Sequence, residues 1–79
     1  MTITEANEEI KTHKVSLANM VNEMRRLLSE GKCIKAISRR IKRARQAVKQ
    51  AEAELGQDEI DFEAVQHAFN YIKVVTGNY

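Results

Sequence analysis

Residues 34–55 read IKAISRRIKRARQAVKQAEAEL, and two regular patterns run through this stretch at once. Ile34, Ile37, Ile41, Ala44, Val48, Ala51 and Leu55 recur at alternating steps of three and four, which places them on one seam of an α-helix. Lys35, Arg39, Lys42, Arg43 and Lys49 fall on the opposite side, at the b, c and f positions of the same heptads. The stretch therefore predicts a helix with one apolar and one basic face, the apolar face needing a partner helix.

That partner lies upstream. Thr2 followed by Glu5 is a capping-box signature, in which each side chain covers an orphan backbone N–H at a helix start. From there Ile3, Ala6, Ile10, His13, Leu17, Met20, Met24 and Leu27 keep the heptad step, with Val21 and Leu28 widening the stripe. Gly31 ends this helix, because only glycine takes a left-handed conformation without a Cβ penalty. The short connection to Ile34 predicts antiparallel neighbours. Their seams align without a slip: Leu27 opposite Ile37, Met24 opposite Ile41, Met20 opposite Ala44, Leu17 opposite Val48 and His13 opposite Ala51. Large faces small where it must, as close packing requires.

Downstream, Gly56 stops the second helix, and Asp58 or Asp61 offers an N-cap for a third whose first turn is rich in acids. Phe62, Val65, Phe69 and Ile72 form its core stripe, with Ala68 and Val75 beside it, and Thr76-Gly77 ends it. The predicted fold is all-α: a long antiparallel helical hairpin (helices over about 3–30 and 33–55) plus a shorter third helix (about 59–76), packed as a single three-helix bundle. At roughly 1.5 Å per residue the third helix is too short to reach the hairpin tip. A 79-residue chain has a marginal core as a monomer, which predicts a homodimer.

Composition agrees with this fold and removes several function classes. Proline and tryptophan are absent, there are three glycines, and 30% of residues are charged, which suits helices and leaves little for sheet turns. One cysteine excludes an intramolecular disulfide, and with two scattered histidines it gives no zinc-ligand spacing. Thr2–Ile10 is acidic, unlike a signal peptide, and no apolar run is long enough to span a bilayer. The expectation is a soluble, cytoplasmic protein with no metal, no cofactor and no membrane partner.

The net charge of +2 conceals an asymmetry. Arg25–Lys49 contains ten basic residues and one acid, whereas the remainder has three bases and ten acids. At the tip, Leu27, Leu28, Ile34 and Ile37 are expected to be only partly covered, ringed by Arg25, Arg26, Lys32, Lys35, Arg39 and Arg40. Apolar surface with a charged rim is how a binding site looks. At the other end Glu5, Glu8, Glu9, Glu52, Glu54, Asp58, Glu59, Asp61 and Glu63 converge, some of them serving the dipole of a helix start.

The expected function is that of a non-enzymatic interaction protein: an inhibitor, adaptor or regulator that binds an acidic surface of a larger protein. Its partner-binding residues are Arg25, Arg26, Leu28, Lys32, Ile34, Lys35, Arg39, Arg40, Lys42, Arg43 and Lys49. The same basic helix face, about 21 Å long from Lys35 to Lys49, also suits a nucleic-acid backbone. Against that alternative, the basic region has no aromatic residue for base stacking and no helix-turn-helix spacing. A third possibility is self-assembly driven by the acidic base and basic tip.

Catalysis has little support, since there is no Ser/His/Asp or Cys/His grouping, phosphate loop or acid pair. Arg25, Arg26, Arg39 and Arg40 of two chains, joined in an anion-binding site, are the remaining enzymatic arrangement. Cys33 lies between Lys32 and Lys35, a setting that favours the thiolate, although such a residue is more often a small half-buried hydrophobe. His13 on the seam reads as a core histidine, and His67, Tyr71 and Val74 as a minor contact patch or ordinary surface. Residues 31–36 (GKCIKA) resemble the junction between helices A and B of a tetratricopeptide repeat. Arg40 and Arg43 then stand where that repeat has an aromatic and a small residue, so no family is assigned.

Overall fold

The computed structural model describes residues 1–77 and contains three helices, α1 (Ile3–Ser29), α2 (Lys35–Leu55) and α3 (Phe62–Thr76), with no strand among the described residues. They pack as an elongated bundle of 47 × 17 × 17 Å.

Each end is set by local chemistry. The Thr2 hydroxyl accepts the Glu5 N–H at 3.1 Å while the Glu5 carboxylate accepts the Thr2 N–H at 3.1 Å, completing the capping box. At the far end the Lys32 N–H donates to the Leu27 carbonyl (2.9 Å) and the Gly31 N–H to Leu28 (3.0 Å), the paired bonds of a Schellman motif. Gly31 holds φ at 71°, the value this motif demands and other residues resist.

Two helix starts differ from expectation. α2 begins at Lys35 rather than near residue 33, because Ile34 stands at the N-cap with no side chain to hold an earlier turn. Cys33 consequently lies in the connection and is exposed, not half-buried against the hairpin. α3 begins at Phe62 rather than near residue 59. Of the two candidate caps it is Asp61 whose carboxylate accepts the Glu63 and Ala64 N–H groups (3.1 and 3.2 Å).

The core unites all three helices. Ala6, Ile10, Leu17 and Met20 of α1 meet Ile37, Ile41, Ala44, Val48 and Ala51 of α2, while Val65, Phe69, Ile72 and Val75 of α3 close the third side. Phe69, Met20, Ile72 and Val65 are the largest fully buried side chains, each contributing about 1.5–3 kcal/mol of apolar burial. Ile3, assigned to the seam by its spacing, is 52% exposed in the overhanging first turn of α1.

His13 is a core residue. Its ring lies 5.2 Å from that of Phe69, and Nε2 is 3.1 Å from Glu9 Oε2, which satisfies that ring nitrogen. Glu9 in turn lies 3.8 Å from Lys73 Nζ, tying α1 to α3. On the hairpin's other side Lys14 Nζ reaches Glu52 at 3.4 Å, next to the level at which the seam sets His13 opposite Ala51.

Candidate functional site: the basic face of α2

The seam of α2 leaves two flanks, and the third helix takes one. Arg40, Ala47 and Glu54, spaced by seven, face α3: Ala47 is buried, Arg40 and Glu54 half-buried. The Glu54 carboxylate accepts the Asp61 N–H (2.9 Å) at the start of α3, and Arg40 Nε donates to the Val75 carbonyl (2.7 Å) at its end. Arg40 is thus drawn off the expected binding surface into the fold, where a cation suits the negative end of the α3 dipole.

Other expected site residues are exposed but already engaged. Arg26 Nη1 donates to both carboxylate oxygens of Glu30 (2.9 and 3.0 Å), and Nε and Nη2 together grip the carboxylate of Glu23, three residues before it. These contacts lower the Glu23 pKa, chiefly through the Arg26 hydrogen bond, and raise that of Arg26, chiefly through Glu23. Lys32 pairs with Glu30 at 3.1 Å. The tip therefore presents less free charge than its composition implies.

The outer face of α2 is different. Lys35, Arg39, Lys42, Arg43 and Lys49 are all exposed, and among the described residues none has a carboxylate within ion-pairing distance. Arg25 at the end of α1 is likewise exposed and unpaired. To these the structure adds Arg45, which the b, c and f pattern passes over. It occupies the flank of α2 away from α3, three residues after Lys42 and four before Lys49, and all three border one concavity. That i, i+3, i+7 spacing was the signal available for it.

The apolar part of the tip is graded. Ile37 is buried, Leu27 and Ile34 are half-buried against the core, and Leu28 is 53% exposed. α3 ends beside Arg40, so Leu28 and Ile34 lie beyond its reach. α3 brings an aromatic group, Tyr71, beside Arg43, Gln46 and Gln50 in a shallow depression. His67 and Tyr71 border a second depression with Ala47 and Gln50, and Val74 is 78% exposed.

Among the described residues there is no group of three or more His, Cys, Asp or Glu side chains placed to hold a metal ion, and no helix long and apolar enough to cross a membrane. No protein-family model matches the chain, and no curated protein or solved structure is significantly similar to it.

Proposed function

We propose that the protein is a non-enzymatic helical interaction module that binds an acidic surface of a larger protein through the basic face of α2 and the adjoining tip. The observation that carries this reading is the contrast in pairing. Arg26, Lys32, Lys14 and Lys73 each have an internal carboxylate, whereas Lys35, Arg39, Lys42, Arg43, Arg45 and Lys49 have none among the described residues. Six like charges on one helix repel one another, and an acidic partner would relieve that repulsion. Exposed Leu28 supplies an apolar anchor beside them, which favours a protein over a bare phosphate backbone. A homodimer belongs to the same proposal, a second copy covering apolar groups that a chain this small leaves open.

Nucleic acid is the second reading, favoured by Tyr71, which stands beside Arg43 although the basic stretch itself contains no aromatic residue. Light scattering on the pure protein, with and without a mixed DNA and RNA pool at low and moderate salt, separates the two. The protein reading expects a mass unchanged by nucleic acid, and capture of a partner that survives nuclease and is lost in both Lys42→Glu/Arg43→Glu and Leu28→Asp. A mass increase with nucleic acid that salt abolishes would move the site to the second reading. A salt-sensitive mass in the protein alone would indicate self-assembly through the acidic base and basic tip.

A further inference from the structure

An antiparallel helix pair has a groove on each side, and α3 fills only one of them. The other, between α1 and α2, holds two separate concavities, one near the tip and one near the base, and no described residue of α3 lines either. Its floor is apolar at both ends: Met24 and Ile41 towards the tip, Ile10 and Leu55 towards the base. Its walls are basic. Lys42, Arg45 and Lys49 rise from α2 near the tip, and Lys11 and Lys14 from α1 near the base, against a single acid, Glu52. That acid is held by Lys14 across the groove.

We infer that this groove receives one acidic amphipathic helix of a partner protein, which completes a four-helix bundle. The inference rests on the proposed acidic protein partner and specifies its form. Two parallel ridges with an apolar floor accept a third helix side by side, and no strand edge is present among the described residues for an extended peptide to join. Ser38 to Leu55 spans roughly 26 Å of α2, the length of a helix of about 18 residues. An apolar stripe on such a helix would cover half-buried Met24 and Leu55, and glutamates flanking the stripe would meet the lysine and arginine walls. A second copy of this chain fits less well. Pairing the groove with itself sets basic walls against basic walls, and the outer face of α2 is basic too.

The test uses a fluorescent synthetic peptide of about 18 residues, with leucine at a and d positions and glutamate beside them, titrated into the full chain and read by anisotropy. A control peptide of the same composition apart from two central prolines cannot stay helical. The helical peptide is expected to bind at least about tenfold more tightly than the control. Arg45→Glu/Lys49→Glu, on the groove wall, should weaken it more than about tenfold. Lys73→Glu, compared with Arg45→Glu alone, changes the net charge equally on exposed surface of α3 outside both the groove and the basic face and should cost less than about threefold. Glu52→Gln, which frees Lys14, should tighten binding. All the altered side chains are exposed, and circular dichroism verifies that the variants fold. Equal binding of both peptides, or equal losses from the two charge-matched variants, would overturn the groove inference and leave the acidic-partner reading standing. Failure of both peptides and of polyglutamate to bind would overturn both.

Discussion

Arg40 Nε lies 2.7 Å from the carbonyl oxygen of Val75, and this bond fastens the end of α3 to the second turn of α2. The start of α3 is fastened too, where Glu54 accepts the Asp61 N–H. Both anchors come from the same flank of α2, two heptads apart, with buried Ala47 midway between them. A helix of only 15 residues is marginal alone, so its order depends on such tertiary ties and on burial of its apolar stripe.

Arg40→Ala should therefore lower global stability by about 1–2 kcal/mol, the range for losing a charge-assisted bond to a helix C-terminus. Arg39→Ala, one residue away and exposed, should change it by less than about 0.5 kcal/mol. Gly77→Ala should be destabilising by about 1 kcal/mol or more, because Gly77 holds φ at 59° and an added Cβ would come within 3.0 Å of the Arg40 guanidinium. Urea unfolding followed by circular dichroism measures all three. An Arg40 effect no larger than that of Arg39 would show that α3 docks without the clamp.

Much of this architecture was legible in the sequence because it is written in strong local signals. The seams of α1 and α2 follow from spacing, the capping box from Thr2 and Glu5, and the break at Gly31 from its backbone demand. The role of Arg40 was not legible in the same way. Where α3 ends along α2 depends on the path of residues 56–61 and on which aspartate caps α3, and neither is fixed by periodicity. Buried Ala47 was the available hint: a small residue off the main seam marks where another helix comes close. The pairing of Arg26 was readable from Glu23 and Glu30 at i−3 and i+4, but composition counted Arg26 as free charge.

Those same pairs make a pH prediction. The pKa of Glu23 is lowered from its ordinary value of 4.5 by the Arg26 hydrogen bond and charge. A depressed carboxylate pKa contributes stability that is present above the ordinary value and disappears as pH falls through the lower, folded one. The Glu23 carboxyl, followed by NMR, should titrate below 4.5 in the wild type and return to about that value in Arg26→Ala. Since the pair lies at the surface, with Arg26 exposed and Glu23 half-buried, the change belongs in the local titration and in fraying of the last turn of α1, with little effect on global unfolding. An unshifted midpoint in the wild type would show that the pair does not persist in solution.

Phe69 makes a different demand on the fold. It is fully buried, packs on the ring of His13 and lies in the layer where all three helices meet. Phe69→Ala removes about 3–5 kcal/mol by lost transfer energy and a cavity, about the entire stability a domain of this size supplies. The variant should be largely unfolded at room temperature by far-ultraviolet circular dichroism. Tyr71→Ala, two residues on and exposed, should keep a native spectrum. A folded Phe69→Ala protein would mean that stability comes from elsewhere, a dimer interface being the first place to look.

Exposed apolar residues separate a binding anchor from ordinary surface. Val74 is 78% exposed and Leu28 53%, so exposure alone would rank Val74 first. Position argues the reverse. Leu28 stands at the tip beside half-buried Leu27 and Ile34, near Arg25 and Lys35, which have no ion-pair partner among the described residues, whereas Val74 projects from the outer side of α3. An apolar group gains most from burial where neighbouring contacts exclude water around it, and the tip offers those neighbours. Leu28→Asp should weaken partner binding by about tenfold or more, while Val74→Asp should leave it within about twofold. Neither should alter stability by more than about 0.5 kcal/mol, since neither side chain is in the core. If instead Val74→Asp abolished binding and Leu28→Asp did not, the contact surface would have to be redrawn around His67, Tyr71 and Val74, with the basic face of α2 at its edge.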